Sequence, residues 1–130
     1  MKVVFDTNIF ISAFVIPGSQ AEKAVLRIIE GRDILLLSKG ILDELLTVLS
    51  TKFSRGKEEI SQVAVILSEM AEWVEPSERI KVLTDDPDNR ILECAVSGNA
   101  DVIVTGDKEL LRLGGYEKSK IVSLKEYLGE

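Results

Sequence analysis

The chain opens on Lys2–Phe5, a short β-branched run that stops at Asp6 and reads as a buried strand. Asn8–Val15 predicts a short helix stopped by Pro17-Gly18. Ala21, Ala24, Val25, Ile28 and Ile29 recur at i, i+3, i+4, i+7 and i+8, the spacing of an amphipathic helix, and Gly31 closes it. A second apolar run, Asp33–Leu37, predicts another strand, followed by a helix from Lys39 to Ser50. Ile60, Val63, Ala64, Leu67, Met70, Ala71 and Val74 predict a long helix ended by Pro76.

Ile80–Leu83 reads as a short edge strand, and Pro87 opens a helix to Ser97, where its fixed φ suits the first helical position. Asp101–Thr105 is a strand, Lys108–Leu113 a short helix ended by Gly114-Gly115, and Lys120–Ser123 a last strand. Ser123 and Glu126 have capping-box spacing for a terminal helix. Strands alternating with helices imply crossover connections, so the expected fold is α/β: one doubly wound domain over residues 1–130, with helices on both faces of a parallel sheet.

Composition narrows the chemistry. There is no histidine, so imidazole cannot serve as base or zinc ligand, and the single cysteine, Cys94, cannot build a thiolate cage. Carboxylates, hydroxyls and lysines remain, and oxygen ligands suit Mg²⁺ or Mn²⁺. No run approaches the ~20 apolar residues that cross a bilayer. With no leader pattern at the amino terminus and one cysteine, a cytoplasmic, membrane-free protein is expected. The net charge of −6 runs against a nucleic-acid partner. A carboxylate cluster accounts for part of that acidity, and bound cations would reverse its field. Lys52, Arg55 and Lys57 are local basic groups that either meet phosphates or simply form a solvated loop.

Each acid has an ordinary explanation when taken alone. Asp6 and Asp107 stand where a helix N-cap is common. Asp85 and Asp86 are placed to cap the helix opened by Pro87, and Asp88 lies in its first turn, where the helix dipole favours negative charge. Topology joins them. Ligands of a parallel α/β sheet bind outside the carboxyl ends of its strands, and Asp6, Glu44, Asp88 and Asp107 all fall on that rim. At about 100° per residue, Asp88 lines up with Leu92 and Ala95 on its helix's apolar stripe, whereas Asn89 and Arg90 point elsewhere. Glu44 borders the face of Ile41, Leu42, Leu45, Leu46, Val48 and Leu49, while Asp43 points to solvent. Two carboxylates ~4 Å apart repel by roughly 4 kcal/mol at an effective dielectric of about 20, a conflict that a divalent cation resolves.

VVFDTN at Val3–Asn8, the Ser38-to-Glu44 segment, DPDNRILECA at Asp86–Ala95 and VTGDKELL at Val104–Leu111 together resemble the PIN-domain family. More narrowly, they resemble the PIN-family toxin of prokaryotic toxin–antitoxin pairs. The resemblance implies a three-layer fold with a parallel sheet of about five strands. It also implies a ribonuclease, endonuclease in mode, using one or two Mg²⁺ or Mn²⁺ ions held by Asp6, Glu44, Asp88 and Asp107. Asn8 would orient Asp6 or a water, Thr105 would support the site with its hydroxyl, and Asp85 would act through water or remain a cap. An RNA substrate, a homodimer and a cognate antitoxin complete the expectation. Two rivals stand beside it. One is a phosphatase with Asp6 as nucleophile, against which Asp6-Thr7-Asn8 lacks the customary second aspartate. The other is a non-catalytic module that binds RNA or protein.

Overall fold

The computed structural model describes residues 1–53 and 56–130. In chain order it contains β1 (Lys2–Phe5), α1 (Thr7–Val15), α2 (Gln20–Ile29), β2 (Ile34–Leu37), α3 (Lys39–Thr51), α4 (Lys57–Met70) and β3 (Glu72–Trp73). These are followed by α5 (Asp86–Gly98), β4 (Val102–Val104), α6 (Lys108–Leu113), β5 (Gly115–Tyr116), β6 (Ser119–Val122) and α7 (Leu124–Leu128). No single helix among the described residues is long and apolar enough to cross a membrane.

The sheet runs β3-β2-β1-β4-β6-β5. Its first five strands are parallel, and β5 pairs antiparallel with β6. The α/β expectation holds, with six strands rather than about five. Val3, Val4, Phe5, Leu35, Leu36, Leu37, Ile103 and Val104 are fully buried, which explains why the inner strands read as continuous apolar runs. The chain builds outward from β1 to β3, then returns past β1 to add β4 and β6. Right-handed crossovers therefore put α1–α4 on one face and α5 and α6 on the other. The reversal between β1 and β4 opens a crevice at their carboxyl ends.

Two expectations are corrected, and a third is extended. The helix expected to reach Val74 ends at Met70, where Ala71 turns extended and β3 joins the sheet edge, with Val74 N–H donating to Leu37 O at 2.8 Å. Met70, Ala71 and Val74 are all half-buried against the core, so apolar spacing alone does not separate the helix end from the edge strand that follows. Ile80–Leu83 is not a strand; side chains of α5 satisfy its backbone instead. The Gly114-Gly115 stop is also the start of a hairpin, β5–β6, with Glu117 at φ 52° in its turn. The capping box forms as expected: Ser123 Oγ accepts from Glu126 N–H, and the Glu126 carboxylate accepts from Ser123 N–H.

Candidate active site

Asp6 follows β1 and Thr105 follows β4, so the two meet at the crevice where the strand order reverses. Asp6 N–H donates to Val104 O at 2.9 Å, locking the two strand ends together. Thr105 Oγ1 donates to Asp6 Oδ2 at 2.6 Å and accepts from Asp107 N–H at 3.0 Å. One buried hydroxyl thus fixes two acids.

Both ordinary cap roles are present. Asp6 Oδ1 accepts from Asn8 N–H at 3.4 Å, and Asp107 Oδ1 accepts from Glu109 and Leu110 N–H at 2.7 and 3.4 Å. Each cap uses one carboxylate oxygen, so capping and a role in the cavity are compatible.

Asp88 points inward as its helical spacing predicts: it is buried at 5% exposure, and its Oδ2 has no hydrogen-bond partner among the described residues. A buried acceptor without a donor is costly. Burial first, then repulsion from Asp107, Asp6 and Asp85, pushes the Asp88 carboxyl up to about 7. The Asp6 carboxyl is also raised, because burial outweighs the hydrogen bonds from Thr105 and Asn8, and Asp107 repels it.

These groups line a cavity of ≈ 500 Å³, together with Thr7, Asn8, Ile11, Glu44, Val48, Lys52, Phe53, Asp85, Pro87 and Ile91. All four expected acids therefore share one cavity, Asn8 lies exposed on its wall, and Glu44 is half-buried. Lys52 belongs to the cavity wall rather than to an unrelated solvated loop, whereas Lys57 is exposed at the start of α4 and Arg55 lies outside the described residues.

Two readings of the α5 amino terminus change. Asp85 occupies the N-cap position but makes no side-chain cap bond, and it lines the cavity. Asp86 does not cap either; its Oδ1 accepts from Arg90 and Asn89, each at 3.3 Å. Asn89, expected to point away, is buried at 2% exposure because residues 80–85 fold over that side of the helix. Helical periodicity registers one packing partner, the sheet, and not a second stripe covered by a loop.

The donor set consists of carboxylate oxygens backed by a hydroxyl, with an orphaned Asp88 oxygen among mutually repelling acids. Hard divalent cations suit such a set. Among the described residues no three acids already stand as a complete ligand set around one point, so an ion would have to draw the side chains inward.

A parallel α/β domain with an acid-lined cavity at its switch point is the class these features define. The PIN domain family model matches residues 2–109, and the chain belongs to that family. Over 142 aligned residues it is 29% identical to "Uncharacterized protein MJ1680" of Methanocaldococcus jannaschii, spanning 100% of this chain and 91% of that protein. Its fold is similar to a chain in the crystal structure of VapBC2 from Rickettsia felis bound to a DNA fragment from their promoter. That match has a TM-score of 0.69 and 18% identity, over 95% of this chain and 98% of that one. A chain of VapBC-1 from nontypeable Haemophilus influenzae matches with a TM-score of 0.63 and 22% identity, over 96% and 99% of the two chains.

Proposed function

We propose that the protein is a Mg²⁺- or Mn²⁺-dependent ribonuclease that hydrolyses RNA phosphodiester bonds as an endonuclease. The observation that carries this reading is the buried, unpartnered Oδ2 of Asp88 in a cavity shared with Asp6, Asp107 and Glu44. Asp6, Asp88 and Asp107 would hold one or two ions, and Glu44 would bind an ion or orient the attacking water. When bound, such an ion supplies charge for the phosphate oxygens and a more acidic water at neutral pH. Without histidine, the chain offers no imidazole base for that role.

The remaining residues position and attract. Thr105 holds Asp6 and the turn of Asp107 in register, Asn8 stands at the mouth beside Asp6, and the Lys52 ammonium is available to a phosphate at the same opening. The family membership supports a nuclease. The likeness in fold to chains of VapBC complexes supports reading this one as the toxin of a toxin–antitoxin pair, blocked by a protein antitoxin and assembled as a homodimer.

The test is cleavage of a panel of single-stranded and structured RNAs with Mn²⁺, Mg²⁺ or EDTA, beside Asp6→Asn and Asp88→Asn. Metal-dependent internal cleavage lost in both folded variants is expected. RNA binding without cleavage, or release of phosphate only from monoesters, would overturn the nuclease reading.

A further inference from the structure

Residues 80–85 cross α5 without forming a strand, and the helix's side chains supply the hydrogen bonds that a sheet would have given. Asn89 Oδ1 accepts from Leu83 N–H and Asn89 Nδ2 donates to Leu83 O, both at 2.9 Å. One helical turn on, Glu93 Oε2 accepts from Ile80 N–H at 2.8 Å. The Arg90 guanidinium donates to Ile80 O at 3.4 Å and pairs with Glu93 Oε1 at 3.0 Å. Thr84 N–H donates to Glu109 Oε1 of α6 at 3.3 Å. The next residue is Asp85, whose carboxylate makes no cap bond and lines the cavity.

Asn89 holds the position nearest the acids. A planar amide offers one donor edge and one acceptor edge side by side, which matches the N–H and C=O of a single residue. Asn89 spends both on Leu83, and its Nδ2 also reaches Asp86 Oδ1 at 3.3 Å. Leu83 and Asp86 bracket Asp85 on either side. With Leu83 and Asp86 tied to one buried side chain, the backbone of Asp85 cannot leave the rim of the cavity without breaking bonds inside the protein.

We propose that Asn89 is a positioning residue that acts through Asp85, holding it at the rim of the cavity as a fifth acid for a divalent cation. This rests on the metal-dependent reading above. Glu93 and Arg90 anchor the far end of the same segment.

The experiment compares the wild-type chain with Asn89→Asp, Asp85→Asn and the double variant. Asn89→Asp keeps the size and the acceptor but loses both donated bonds. It also adds a negative charge that by itself would favour a cation, so weaker binding reports lost positioning. Mn²⁺ binding alone is measured by calorimetry at neutral pH, and RNA cleavage is measured across a Mn²⁺ titration. Ser119→Ala, which removes a buried 2.8 Å bond to Ala100 O near the opposite end of the sheet, serves as a destabilised control.

Asn89→Asp is expected to weaken Mn²⁺ binding by about tenfold, the usual scale for residues that orient ligands, and to raise the Mn²⁺ needed for half-maximal cleavage similarly. The double variant should match Asp85→Asn within about twofold, because two changes acting through one group do not add. Multiplying effects, or equal losses in Asn89→Asp and Ser119→Ala, would overturn the positioning role. If the wild type binds Mn²⁺ but cuts no RNA, the nuclease reading fails, while the Mn²⁺ affinities still decide the role of Asn89. If it binds no Mn²⁺, the positioning role falls with the cation site.

Discussion

The Thr105 hydroxyl donates to Asp6 Oδ2 at 2.6 Å while accepting from Asp107 N–H, so a side chain at the end of β4 sets the carboxylate at the end of β1. Thr105→Val keeps the shape and removes both bonds. Thermal or urea unfolding should show a loss of about 1–2 kcal/mol, since a half-buried N–H and a buried carboxylate oxygen each lose a partner. Metal-dependent cleavage should fall by about 10–100-fold and recover in Thr105→Ser. Unchanged cleavage in a folded Thr105→Val protein would remove Thr105 from the site.

The acid cavity also predicts how stability depends on pH. Asp88 titrates near 7 in the folded protein, whereas an unfolded aspartate titrates near about 3.9. The native state therefore binds this proton more tightly. Its contribution to stability is complete below about pH 4 and is lost as pH rises through about 7. Asp6, also raised, works in the same direction. In EDTA, the urea midpoint should fall between about pH 4 and 7, and Asp88→Asn should flatten that fall. Mn²⁺ should restore stability at the higher pH, because a ligand of the native state opposes unfolding. A midpoint that climbs with pH in EDTA would contradict the account.

Gly98 is the last residue of α5, and a Cβ there would lie 2.7 Å from Leu36 Cδ1 and 2.9 Å from Val74 Cγ2. Leu36 is fully buried in β2, so it has little room to yield. Overpacking costs of about 1–3 kcal/mol exceed the gain in helix propensity of about 1 kcal/mol. Gly98→Ala should thus lower stability by about 1 kcal/mol net in urea titrations. A stabilised variant would show that α5 can lift from the sheet edge cheaply.

Cys94 is fully buried, and burial pushes its thiol up to about 12 against a smaller opposing effect from Ser38. The thiolate is the reactive form. A disulfide reagent should leave Cys94 unmodified in the native protein and label one thiol after unfolding in urea. Rapid labelling of the folded chain would place Cys94 outside the core.

What could be read from the chain follows from how local each determinant is. Asp88 declared itself because its inward direction is set within one helix, by Leu92 and Ala95 at helical spacing. Asp6 and Asp107 were legible because strand ends in a parallel sheet face one rim. Asn89 was not, since its burial comes from a segment that folds back over α5, a contact that helical periodicity does not encode. Asp85 carried a signal for position but not for use: its place at the N-cap is plain, yet whether the carboxylate turns to the helix or to the cavity depends on acids far along the chain. β3 and β5, at two residues each, are too short for any alternation to register.

Those same two short strands close both margins of the sheet. Each exposes only a dipeptide of ladder-forming backbone, and on the β5 side the hairpin has already turned the run against its neighbours. A foreign strand finds almost no template there, which is how natural sheets avoid growing into fibres. Any pairing of two copies should therefore run through helix surfaces, and the sheet should remain the size at which it folds.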